Sequence, residues 1–162
     1  MPERVTAYIA LGSNLDGPRV QVERAFDALA RLPETRLRAR SRVYRTPPWG
    51  IVEQPDFINA AAAIETALAP HALLSALHAI ESGAHRVRGV RNGPRTLDLD
   101  LLMYGAVRLD DPDLVLPHPR LHERAFVLLP LADIASAVDV PGRGRVSALL
   151  AAVDTRGCVP LD

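Results

Sequence analysis

Residues 97 to 101 read Leu-Asp-Leu-Asp-Leu, and the segment just before them, His85 to Arg95, carries Arg86, Arg88, Arg91 and Arg95. Strand side chains alternate between faces, so Asp98 and Asp100 share one face and the leucines take the other. In an extended chain their Cα atoms are roughly 7 Å apart, close enough for the carboxylates to hold one hard cation or bridge a pair. Alternation alone describes any half-buried strand, so the neighbouring cations matter. Gly89, Gly93 and Pro94 argue against a helix there, and the arginines are therefore not a helix's solvated face. The expectation is a basic loop that closes over a polyphosphate; the alternative is a plain basic surface loop. Magnesium divides its ligands between a few carboxylates and substrate phosphates, so the chemistry implied is phosphoryl-type transfer. Such transfer needs positioning and charge stabilisation more than a protein nucleophile. These residues alone leave the acceptor and the attacked phosphorus open.

The elements that must position this segment follow from periodicity. Val5 to Leu11 reads as a buried strand ending in the turn-forming Gly12-Ser13-Asn14. Asp16-Gly17-Pro18 then opens a helix with the stripe Val22, Ala25, Phe26, Leu29 and Leu32. Leu37 to Thr46 reads as one long strand, closed by Pro47, Pro48 and Gly50, and Phe57 to Thr66 as the next. Pro70 starts a helix to about Gly83 whose face carries Leu73, Leu77, Ile80 and Ala84. Leu97 to Tyr104 is a strand, His122 to Ala135 is helical in pattern despite Pro130, and a short helix covers Ser147 to Val153. The order β-α-β-β-α-β-α-α resembles the split βαβ, ferredoxin-like plan. The expected class is α+β: a mainly antiparallel sheet with helices on both faces, three layers deep.

Composition bounds the function. The 162 residues suit one core, so a single domain over 1–162 is expected. Basic and acidic residues balance at 19 each, which disfavours a nucleic-acid binder and makes any anion site local. Every one of those basic residues is arginine, which excludes Schiff-base chemistry, pyridoxal phosphate attachment and a Walker A lysine. Cys158 is the only cysteine, so an internal disulfide or thiolate cluster cannot form and a reducing compartment fits. The apolar run at Ala7 to Leu11 is too short for a signal segment or span. A cytoplasmic monomer acting on small molecules, with no nucleic-acid or membrane partner, is expected.

Five ordered segments carry a specific likeness: AYIALGSNL at 7–15, YRTPPWG at 44–50, QPDFINAA at 54–61, GPRTLDLDLL at 93–102 and LPHPRLHERAFVLLPL at 116–131. Together the chain resembles the 6-hydroxymethyl-7,8-dihydropterin pyrophosphokinases over nearly its whole length. The resemblance implies transfer of the β,γ-pyrophosphoryl group of ATP to the pterin hydroxymethyl oxygen, with AMP released, two magnesium ions as cofactors, and a place in folate synthesis. It implies that Asp98 and Asp100 ligate the metal ions and that Arg86 and Arg95 steady the transferring group. Glu81, Arg88, His118 and Arg124 would join Arg86 and Arg95 around ATP, although Glu81 also reads as a solvated acid at a helix end. For the pterin, Phe57 and Phe126 would sandwich the ring, Asn59 would pair with its amide edge, and Thr46, Pro47, Trp49 and Gly50 would supply backbone and a lid. His71, His78, His85 and His122 read as structural or merely exposed. The arginine segment departs from the family pattern in being shorter than in some members, lacking lysine and having Asn92 before Gly-Pro-Arg.

Two other functions compete. A nucleotidyltransferase also joins a Gly-Ser turn to paired aspartates, but there the pieces lie close in sequence, whereas Gly12-Ser13 and Asp98 are far apart. A ferredoxin-like RNA-binding module would need stacking aromatics, and these are 4% of the residues.

Overall fold

The structure is a computed structural model describing residues 3–48, 53–84 and 96–161. The arginine-rich segment, with Arg86, Arg88, Arg91 and Arg95, lies outside the described residues, as do Trp49 and Gly50.

Strand β1 (Val5–Ser13) leads to helix α1 (Pro18–Ala30), followed by β2 (Thr35–Arg40), β3 (Val43–Thr46) and β4 (Phe57–Thr66). Helix α2 (Pro70–Gly83) precedes β5 (Asp98–Tyr104) and a short hairpin of β6 (Leu109–Asp111) and β7 (Leu114–Leu116). A 3₁₀ turn (Leu121–Glu123) runs into α3 (Ala125–Ala135), and β8 (Asp139–Val140), β9 (Gly144–Arg145), α4 (Val146–Ala151) and β10 (Val159–Leu161) complete the chain. The main sheet has the order β10-β3-β4-β1-β5, with β2 also paired to β4, and every pairing in it is antiparallel.

Local chemistry explains the element ends. Gly17 caps α1 in the left-handed region, with φ of 68°, and Pro18 supplies the fixed φ of the first helical position. Pro70 does the same for α2. The sheet separates two apolar layers. On one side Phe26 and Leu29 of α1 and Leu73 and Leu77 of α2 pack over Ile9, Leu11, Ala62, Ile64, Leu99 and Leu101. On the other, Leu128, Leu131 and Val127 of α3 and Val146 of α4 cover Ala10, Ala61, Leu102 and Met103. The Ala60–Ala63 run puts little bulk on either face of β4, so helices supply much of the volume in both layers.

Two expectations need correction. The stretch from Leu37 to Thr46 follows one path along β4 but is two strands. At Ser41 the hydroxyl, rather than a main-chain carbonyl, accepts the Ala61 N–H at 2.8 Å, while the Ser41 N–H donates to Ala61 O at 2.9 Å. That substitution, with a register shift between Leu37 and Ala39, divides the ladder. The β6–β7 hairpin, β8, β9 and β10 are additional, and at two or three residues each they are too short to carry a periodicity. The α+β class with helices on both sheet faces holds.

Candidate active site

Among the described residues strand β5 is an edge of the sheet, and its pleat decides where the acids go. Leu99 and Leu101 are buried in the layer beneath α1 and α2, which turns Asp98 and Asp100 toward the α3 side. Across the sheet, Asp98 is opposite Gly12 of β1, and Gly12 is opposite Asn59 of β4. Residues directly opposite in antiparallel strands point to the same face, so Asn59, Gly12 and Asp98 form one row. Two strand spacings put the Asn59 and Asp98 backbones about 10 Å apart.

Gly12 keeps that row open. A Cβ there would fall 2.7 Å from Asn59 Oδ1, inside the distance real contacts allow. The Asn59 amide is buried and oriented, because its Nδ2 donates to Thr46 Oγ1 at 2.7 Å. Thr46 stands opposite Phe57, so Thr46, Phe57 and Asn59 gather where β3 ends and β4 begins, and Pro47 follows Thr46 at the surface. Asn14, in the turn after β1, donates to Gln54 Oε1 and to Pro55 O, both at 2.9 Å, and ties that turn to the entry of β4.

The segment between β7 and α3 brings the cationic side. The His118 N–H donates to Leu102 O at 2.9 Å, fixing the chain beside β5. His118 Nδ1 accepts the Arg120 N–H at 3.2 Å, so a neutral His118 carries its proton on Nε2. Burial, and secondarily Arg124, bring its pKa down to about 4, against an opposing pull from Asp98. Arg124 is itself pushed down by burial and held up by Asp100 and Asp98. Its guanidinium lies 5.6 Å from the Phe126 ring centroid, which joins the cation to the aromatic. Arg124 Nε is buried without a hydrogen-bond partner among the described residues, and the same is true of Nδ1 of His122, a residue that the sequence reads as structural or merely exposed.

A cleft of about 340 Å³ opens at this edge, lined by Glu81, Asp98, Asp100 and His118 with Leu74 and Val115. Glu81 is not a solvated helix-end acid: it is 3% exposed, and its Oε2 accepts the Leu99 N–H at 2.8 Å. The signal was present, since Glu81 continues the four-residue phase of Leu73 and Leu77. A larger cleft of about 560 Å³ shares His118 but is lined by neither aspartate. The Asp98–Asp100 pair offers oxygen donors only, a donor set that fits magnesium. Among the described residues the one histidine–carboxylate triplet at ligand spacing is elsewhere and largely exposed: His71 Nε2 is 3.0 Å from Asp111 Oδ2 and 3.4 Å from Asp113 Oδ1. There it ties the start of α2 to the hairpin.

Of the expected site residues, the structure gathers Asp98, Asp100, Glu81 and His118 about one cleft, with Arg124 in electrostatic contact with both aspartates. Phe126 is joined to this group through Arg124, and Asn59 with Thr46 through the row across the sheet.

An α+β sheet that presents paired acids beside a half-buried arginine and a neutral histidine is an arrangement suited to group transfer. The family model for 7,8-dihydro-6-hydroxymethylpterin-pyrophosphokinase (HPPK) matches residues 8–136, and the chain belongs to that family. It is 52% identical over 150 residues to a 2-amino-4-hydroxy-6-hydroxymethyldihydropteridine pyrophosphokinase of Pseudomonas aeruginosa, covering 93% of each chain. It is 41% identical to one of Bacillus subtilis, covering 82% of this chain and 80% of the relative. The chain is also similar in fold to the HPPK-DHPS of Plasmodium falciparum crystallised with pterin and p-hydroxybenzoate, with a TM-score of 0.71 at 14% identity. That match covers 93% of this chain and 43% of the solved one. Among the described residues no helix is long and apolar enough to cross a membrane.

Proposed function

We propose that the chain transfers pyrophosphate from ATP to 6-hydroxymethyl-7,8-dihydropterin in folate synthesis, giving AMP and the pterin diphosphate. The observation that supports this best is the Asn59–Gly12–Asp98 row, which puts the amide of Asn59 and the carboxylate of Asp98 on one face, on backbones about 10 Å apart. That span suits a bicyclic ring whose hydroxymethyl group reaches toward a phosphate.

Asn59 would pair with the amide edge of the pterin, Nδ2 being held by Thr46, while Phe57 and Phe126 stack on the ring faces. Pro47, Trp49 and Gly50 would complete that pocket. Asp98 and Asp100 would hold two magnesium ions, which supply charge neutralisation on the polyphosphate when bound. Arg124 presents a permanently charged fork to phosphate oxygens, and His118 donates a neutral hydrogen bond from Nε2. Arg86, Arg88 and Arg95 would enclose the phosphates from the segment outside the described residues. In the transfer the pterin hydroxyl oxygen bonds to the β-phosphorus, the bond from that phosphorus to the oxygen carried by the α-phosphate breaks, and AMP leaves with that oxygen. The hydroxyl proton is released in the same step. Catalysis here is positioning plus electrostatic stabilisation. We read residues 1–162 as one domain and the enzyme as a cytoplasmic monomer.

Purified protein supplied with ATP, magnesium and the reduced pterin alcohol is expected to release AMP. Release of ADP, or of free pyrophosphate as in nucleotidyl transfer, would overturn the assignment. Asp98→Asn and Asp100→Asn are each expected to lower kcat at least about a hundredfold with unchanged circular dichroism.

A further inference from the structure

We propose that Glu81 is a positioning residue that sets the carboxylate pair through the main chain of β5, an inference that rests on the reading of Asp98 and Asp100 as the metal-binding acids. Glu81 occupies the last turn of α2, in phase with Leu73 and Leu77, and is buried beside them at 3% exposure. A carboxylate there is unfavourable twice over: it loses hydration, and it faces the negative end of the helix dipole. A leucine would fill the same stripe at lower cost, so the carboxylate is explained by what its oxygens hold.

One oxygen accepts the N–H of Leu99, the residue between Asp98 and Asp100. Strand β5 pairs with β1 on one side and, among the described residues, has no strand on the other, and the Leu99 N–H takes a side chain of α2 as its acceptor. The peptide plane so tethered joins Asp98 to Leu99, and its orientation determines how both aspartates project from the opposite face. A hydrogen bond to this plane fixes the pleat. Without it, an edge strand is free to twist, and the two carboxylates diverge. The relation is that of outer groups that orient metal ligands, acting here through a backbone amide.

The hydrogen bond and the charge can be separated. Glu81→Gln retains an acceptor oxygen at the same reach and removes the charge; Glu81→Ala and the volume-preserving Glu81→Leu remove both. Manganese binding in the presence of a non-hydrolysable ATP analogue is followed by electron paramagnetic resonance, with hydrogen exchange of the Leu99 amide as a second readout. Glu81→Gln is expected to keep Leu99 protected and to bind manganese within about threefold of the wild type. Whichever of Glu81→Ala and Glu81→Leu folds is expected to lose that protection and bind at least about tenfold more weakly, with little change in pterin affinity. Wild-type binding in both of these variants would overturn the proposal. So would a glutamine variant as impaired as they are, because charge rather than position would then be the role. Asp98→Asn separates the two readings: if it binds manganese as the wild type does, the assignment of the carboxylate pair fails and this inference falls with it. If wild-type manganese binding depends on Asp98 but no AMP is formed, the activity fails and the role of Glu81 stands.

Discussion

At Gly12 the absence of a side chain separates an amide from a carboxylate. A methyl group there would press on Asn59 Oδ1 at 2.7 Å, and the amide could yield only by straining its bond to Thr46. Gly12→Ala is therefore expected to raise the KM for the pterin about tenfold or more while changing the KM for ATP far less, as steady-state kinetics with each substrate varied would show. His118 makes a pH prediction. Its pKa in the folded protein, about 4, lies below the ordinary value of 6.5, so between these the unfolded chain binds more protons. Stability contributed by neutral His118 is then complete above pH 6.5 and is lost as pH falls toward 4, by on the order of 3 kcal/mol in all. Urea unfolding across this range is expected to show the slope, and His118→Gln to flatten it. The solvent-facing ion pairs between Arg36 or Arg38 and Glu65 contribute little by comparison.

Elements matter here through how they are joined. Ser41 lets the chain pass from β2 to β3 without leaving β4, because its hydroxyl takes the Ala61 N–H that a regular ladder would give to a carbonyl. Ser41→Ala leaves that buried donor unmet and is expected to cost about 1–3 kcal/mol, read as a lower urea midpoint at unchanged slope. Asp133 of α3 performs a second joining. Its carboxylate accepts from Tyr44 Oη at 2.8 Å and from the Arg42 backbone N–H at 3.1 Å, which holds α3 against the strand that ends at Thr46. Burial and the hydrogen bond to Asp133 push the Tyr44 hydroxyl up to about 12, so this contact persists through the physiological range.

Across the whole molecule the sheet divides the labour. The layer beneath α1 and α2 is scaffold, while the opposite face carries Asn59, Asp98 and Asp100 with α3. Phe26 is fully buried in the scaffold layer, with the Arg40 guanidinium 4.1 Å above its ring. Phe26→Ala is expected to cost about 3–5 kcal/mol of stability yet leave both KM values near those of the wild type below the new Tm. A thermal melt beside an AMP assay would check both halves of that expectation. Glu81 reaches around the edge of the sheet, from the scaffold layer to the strand that bears the acids.

Much of this was legible from residue order. The stripes of Leu73 and Leu77 or of Phe26 and Leu29, the alternation at 97–101 and the Gly17-Pro18 helix start are all local, and local periodicity and turn chemistry suffice to specify them. The grouping of Asp98, Arg124, Asn59 and Phe126 was expected from family likeness, not from geometry. Pairing register decided the rest. Which residue of β4 stands opposite Gly12, and which of β5 beyond it, depends on long-range hydrogen bonds, and a slip of one residue would turn Asp98 into the core. The burial of Glu81 depends likewise on where α2 docks against an edge strand. By itself the sequence determined the longer elements and the reactive residues they carry; only the tertiary structure decided where one strand divides in two, where the short strands lie and which of those residues face one another, because contacts between distant segments have no period to read.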